Sequence, residues 1–155
     1  MKYFMHRIQK NSEGFTKGIE VHDTLDPAVL SFWGRLKTGY GKTNNTFVAC
    51  KITDENGNLV LPHDLTWLQD GSEEQNKFFL HHIRKDGETY DKQIDVFESL
   101  DAAYGGLAEQ MEYGYGNSKF PGVTFVHCFI TDLLSGGLIL LEKSWIKPEE
   151  PSSEE

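Results

Sequence analysis

Lys2-Tyr3-Phe4-Met5-His6-Arg7-Ile8 returns later in the same chain as Lys77-Phe78-Phe79-Leu80-His81-His82-Ile83. Extending outward, an ungapped match covers Lys2–Lys42 and Lys77–Asn117, with Lys17, Ile19, Val21, Leu25, Asp26 and Ala28 recurring as Lys92, Ile94, Val96, Leu100, Asp101 and Ala103. Gly39-Tyr40-Gly41 recurs as Gly114-Tyr115-Gly116. Beyond three inserted residues, Thr46-Phe47-Val48-Ala49-Cys50-Lys51-Ile52-Thr53-Asp54 aligns with Thr124-Phe125-Val126-His127-Cys128-Phe129-Ile130-Thr131-Asp132, and Trp67 aligns with Trp145. About a third of the aligned positions are identical, too many for chance likeness between strand-rich segments. The chain is a tandem duplication: a first repeat over 1–68, an acidic linker over 69–76, a second repeat over 77–146 and an acidic, disordered tail over 147–155.

Two copies allow each element to be read twice. Residues 2–9 and 16–23 are rich in β-branched and aromatic types and flank Asn11-Ser12-Glu13-Gly14, a hairpin signal answered by Asp86-Gly87. A helix is predicted from Thr24 and again from Ser99, whose hydroxyls suit an N-cap, with Asp26 and Asp101 in the first turns. Its buried stripe is Leu25, Ala28, Phe32 and Leu36, repeated as Leu100, Ala103, Leu107 and Met111. Gly39 and Gly114 are read as left-handed stops. A second hairpin joins 46–54 to 59–67 through Asn56-Gly57. The fold class is therefore α+β: two ββαββ repeats, each an antiparallel sheet with one helix on one face.

Alternation predicts how the repeats meet. Phe4 and Ile8 point to one face of the first strand and Tyr3 and Met5 to the other, so both faces are apolar. One helix covers only one face; the other must meet the second repeat or another chain, which predicts a pseudo-twofold pair and a homo-oligomer. Arg35 and Lys37 on the first helix, set against Glu109 and Glu112 on the second, read as charges that orient partners. Cys50 and Cys128, without metal-type spacing, read as buried free thiols beside Val48, Ile52, Val126 and Ile130.

Charge and hydropathy bound the function. The net charge is -9, but residues 2–67 carry eight cations against seven acids, residues 77–145 carry six against ten, and the remaining excess lies in the linker and tail. Clustered cations of the kind that neutralise phosphates are missing, which argues against direct nucleic-acid binding. The longest apolar run is Leu138–Leu141, far short of a membrane span, and the N-terminus reads as a strand rather than a signal peptide. A cytoplasmic chain is expected.

The opening Lys-Tyr-Phe strand, Lys17-Gly18-Ile19-Glu20-Val21 leading into Asp23-Thr24, the Gly-Tyr-Gly after the helix, Ile52-Thr53-Asp54 and Trp67 together resemble the small, uncharacterised ββαββ proteins encoded by phages and prophages of Gram-positive bacteria. The resemblance spans both repeats and implies a phage protein acting in the host cytoplasm. Its motifs are structural, so it implies no active site, and it departs from that family in being duplicated.

No Walker loop, dinucleotide fingerprint, zinc-protease motif or nucleophile elbow occurs in the sequence. Leu134-Ser135-Gly136-Gly137 echoes a transporter-ATPase signature but aligns with the Asn56-Gly57 turn. An enzyme and a cofactor are not expected. His6 and His81 are kept by both copies on the face of Phe4 and Ile8, and a pseudo-twofold would bring them together, with His82 or His127 nearby. They read as core-edge residues hydrogen-bonded to the neighbouring hairpin, as ligand contacts or as metal ligands; no metal site is assigned. The candidate binding residues are His6, Arg7, Lys17, Tyr40, His81, Arg84, Lys92 and Tyr115, a repeat-related supply of cations and aromatics. The leading functional reading is a counter-defence protein that sequesters a small anionic nucleotide signal at the repeat or subunit interface. Two others stand beside it: an acidic inhibitor of a host defence protein, and an accessory virion or assembly protein.

Overall fold

A computed structural model describes residues 1–37, 44–69, 75–135 and 137–148. The first repeat forms β1 (Tyr3–Asn11), β2 (Gly14–His22), α1 (Leu25–Leu36), β3 (Phe47–Asp54) and β4 (Leu59–Leu68). The second repeats that order as β5 (Phe78–Asp86), β6 (Thr89–Phe97), α2 (Leu100–Met111), β7 (Val123–Asp132) and β8 (Ile139–Ile146). Each builds one four-stranded antiparallel sheet, ordered β2-β1-β3-β4 and β6-β5-β7-β8. The fold is α+β with a duplicated architecture, as the paired sequence segments predict.

Two kinds of core follow from strand alternation. On one face of the first sheet Met5, Val48, Cys50 and Ile52 receive Ala28, Phe32 and Leu36 of α1. Leu80, Val126, Cys128 and Ile130 receive Ala103, Leu107 and Met111 of α2 in the same way. The opposite faces pack on each other, burying Phe4, Ile8, Ile19 and Phe47 against Phe79, Ile83, Ile94 and Phe125. The layers run helix, sheet, sheet, helix. Both cysteines are buried free thiols in the helix-facing cores, and burial pushes each up to about 12.

The contacts across the central layer come in symmetry-related pairs. Phe4 stacks on Phe125 at 6.1 Å and its counterpart Phe79 stacks on Phe47 at 5.9 Å. Phe4 also meets Tyr90 edge-on at 5.4 Å, as Phe79 meets Phe15 at 5.5 Å. Such exchanged pairs define a pseudo-twofold between the repeats, with β1 running over β5 in the opposite direction.

The turns show where local chemistry differs from the sequence reading. Ser99 caps α2 by accepting from the Ala102 N–H at 3.2 Å, whereas the Thr24 side chain makes no capping bond to α1. Gly39 lies outside the described residues. Gly114 is not the left-handed stop: Tyr115 (φ 58°) and Gly116 (φ 68°) take that conformation. What Gly114 supplies is closeness, since a Cβ there would stand 3.1 Å from Trp145. The Asn56-Gly57 turn holds Gly57 at φ 78°, and Asp54 Oδ1 accepts from the Asn56 and Asn58 amides at 2.9 and 3.0 Å. Because α1 and α2 lie on opposite outer faces, Arg35 and Lys37 do not face Glu109 and Glu112 within one chain.

Candidate functional site

The histidine pair that both repeats keep meets at the centre of the fold. His6 leaves β1 and His81 leaves β5 toward each other, and their Nδ1 atoms lie 3.1 Å apart. His6 Nε2 is 2.8 Å from Thr53 Oγ1 and His81 Nε2 is 3.0 Å from Thr131 Oγ1, again a symmetry-related pair. The four side chains form one continuous hydrogen-bonded chain, and two neutral imidazoles can share the central bond only if one carries its proton on Nδ1 and the other on Nε2. Burial, reinforced by neighbouring basic groups, lowers both histidines well below the usual histidine range.

Symmetry breaks around this pair. Phe129 stacks on His81 at 4.2 Å and touches His6 at 4.9 Å. The matching position in the first repeat is Lys51, buried and ion-paired to Asp64. His127, where the first repeat has Ala49, is also buried; its ring nitrogens make no hydrogen bond among the described residues, and Glu142 Oε2 stands 3.9 Å from Nε2. Among those residues no group of three or more histidine, cysteine, aspartate or glutamate side chains is placed to hold a metal ion.

The other candidate residues disperse. Arg7 lies on the helix-facing side of its sheet, 3.8 Å from Glu20, and the second repeat has His82 in its place, bonded to Asp95 at 2.9 Å. His82 therefore stays apart from the central pair. Arg84 is the counterpart of Gln9 rather than of Arg7; it pairs with Asp91 and lies 3.8 Å above the Tyr113 ring. Lys17 and Lys92 are exposed on β2 and β6, each two residues from a buried isoleucine, Ile19 or Ile94. Tyr115 is exposed beyond α2, with Trp145 at 6.3 Å. Tyr40 lies outside the described residues. Between the two sheets packed aromatic and aliphatic side chains fill the repeat interface, one of the two places where a ligand was expected.

A concave site built from both repeats occurs instead at one end of the sandwich. The β3–β4 turn supplies Glu55 and Asn56, while β5, β7 and the end of β8 supply Lys85, Thr124, Phe125, Ile146, Lys147 and Pro148, around a groove of about 400 Å³. Its geometry is fixed from several sides. Lys147 N–H donates to the Thr124 carbonyl at 2.9 Å, continuing the ladder beyond β8. Tyr90 donates its hydroxyl to Glu55 Oε2 at 3.0 Å, the Lys2 backbone N–H donates to Glu55 Oε1, and Lys85 Nζ lies 5.5 Å from the Tyr90 ring. Burial and the bond to Glu55 push the Tyr90 phenol up.

The duplication explains why this groove is polar. At the symmetry-related positions the first repeat has Lys10 for Lys85 but Gln69 for Lys147, and the second has Leu133 and Leu134 for Glu55 and Asn56. The pairing of two lysines with a carboxylate and an amide thus belongs to one end of the molecule. Sequence reasoning missed Lys147 because it stood at the edge of the acidic tail; the aligned tryptophans, Trp67 and Trp145, were the signal that the repeat continues past 146. No known family matches this chain, and comparison with curated proteins and with solved structures finds none similar to it.

Proposed function

We propose that this chain is a non-catalytic binding protein that takes a small anionic, nucleotide-like ligand at the junction of its two repeats, the role expected of a phage counter-defence protein that sequesters a signal. The observation that carries this reading is the groove of about 400 Å³ lined by Lys85 and Lys147 of the second repeat together with Glu55 and Asn56 of the first. Its volume falls within the range of small-molecule sites, and its two lysines can meet an anionic group while Asn56 and Thr124 offer neutral hydrogen bonds.

Calorimetry against cyclic dinucleotides, cyclic mononucleotides and adenosine diphosphate ribose tests this reading. Binding that weakens at least tenfold in Lys85→Ala with Lys147→Ala supports it, while a silent panel removes it.

A protein-contact reading has one observation in its favour. Leu30 is 75% exposed and Trp33 47% exposed on the outer face of α1, one turn apart, where Gly105 and Ala108 stand in the second repeat. Exposed apolar neighbours of this kind mark docking surfaces. This reading predicts that Leu30→Ser with Trp33→Ser abolishes partner binding or self-association and leaves nucleotide binding intact.

A further inference from the structure

We infer that the His6–His81 contact is an acid-operated latch between the two repeats, closed when both rings are neutral and forced open when both carry a proton. The geometry requires it. At an Nδ1···Nδ1 distance of 3.1 Å the central bond needs one lone pair, so it survives the first added proton, which turns the Nδ1 donor ring into a cation or leaves the charge shared. A second proton places two N–H groups and two positive charges against each other, and the contact becomes repulsive.

The surroundings do not absorb that charge. Lys51 faces the pair from β3, Thr53 stands beside it on the same strand, and His127, Phe129 and Thr131 face it from β7. From β2 and β6 the residues beside the pair are Ile19 and Ile94. Of the acids on the adjoining strands, Asp64 on β4 is committed to Lys51 and Glu142 on β8 stands by His127; His82, on the far face of β5, is bonded to Asp95. The seam is buried and basic, and burial holds both imidazoles neutral in the folded protein.

The direction with pH follows. Unfolded, each imidazole takes a proton near the ordinary histidine value, and folded it does so only at lower pH. The stabilisation is complete above pH about 6.5 and is lost as pH falls below it, by up to tenfold per histidine per pH unit in the opening constant, or about a hundredfold for the pair. Each repeat keeps its own helix–sheet core when the seam opens, so the latch separates the repeats before it unfolds them. The groove takes walls from both repeats, and opening would dismantle it; that consequence rests on the proposed function, whereas the test below is independent of any ligand.

Ala49, buried on the seam, is changed to Cys and its thiol followed with 4,4′-dithiodipyridine, which reacts in acid, alongside native Cys50 and Cys128 in the helix-facing cores. Between pH 7 and 5 the seam thiol is expected to become reactive first, with an opening constant rising toward a hundredfold per pH unit. In a His6→Gln background that rise drops to about tenfold. Simultaneous exposure of all three thiols, or a pH dependence that His6→Gln leaves unchanged, overturns the latch. Should the Ala49→Cys protein not fold, the wild-type imidazole resonances decide: titration of folded His6 or His81 near 6.5 overturns it equally.

Discussion

His6 and His81 touch nitrogen to nitrogen, Nδ1 to Nδ1 at 3.1 Å, on the pseudo-twofold that relates the two halves of the chain. A pair of identical residues on such an axis cannot be chemically identical, because one must donate and the other accept. Nitrogen-15 spectra of the imidazoles above pH 7.5 are expected to show populations summing to one Nδ1–H and one Nε2–H over the two rings. Two rings fully protonated on Nε2 would mean that the central hydrogen bond does not exist.

Adjacent glycines in α2 are expected to respond oppositely to alanine. A Cβ at Gly105 meets nothing within 4 Å, so Gly105→Ala gains helix propensity and stabilises by about 0.5–1 kcal/mol. A Cβ at Gly106 would lie 2.9 Å from Phe97 Cζ and 3.1 Å from Leu80 Cδ2, and the resulting overpacking turns the sign to a loss of about 1–2 kcal/mol. Urea midpoints for the two variants read both values; a stabilising Gly106→Ala would show that α2 sits farther from its sheet.

Cys50 and Cys128 should react slowly in the native state. Both are buried, and a thiol pushed up to about 12 is almost wholly protonated at pH 8. Labelling about a thousandfold slower than that of a free cysteine, recovering when denaturant is added, is expected. Rapid native labelling would place the thiols outside the helix-facing cores.

Much of the fold was legible because the duplication supplied two sequences for one backbone. Leu25, Ala28, Phe32 and Leu36 could be checked against Leu100, Ala103, Leu107 and Met111, and both stripes lie under their helices. Phe4 and Ile8 on one face and Met5 on the other likewise indicated a sheet covered twice. The convergence of His6 and His81 followed from symmetry alone. The candidate site was less legible, because its groove forms where symmetry fails: Lys147 replaces Gln69, and Glu55 replaces a position held by leucine in the other copy. Searching for residues that both repeats keep could not find it. The conserved-looking cations misled for a related reason, as Arg7 and Arg84 occupy different positions of the repeat and each has an acidic partner, Glu20 or Asp91.

The proposed function requires the two repeats to form one anion-accepting groove, and isothermal calorimetry of the Lys85→Ala, Lys147→Ala protein beside wild type reads that requirement. The two lysines line a groove of about 400 Å³ together with Glu55 and Asn56 of the other repeat. A nucleotide from the panel should bind wild type with one site per chain and lose at least tenfold in affinity in the double variant, as expected when charge-assisted bonds to the ligand are removed. Lys17→Ala with Lys92→Ala, on the exposed edge strands, should leave that affinity unchanged. Binding that is insensitive to Lys85 and Lys147 but lost with Lys17 and Lys92 would overturn the proposed groove and move the site to the β2 and β6 edges.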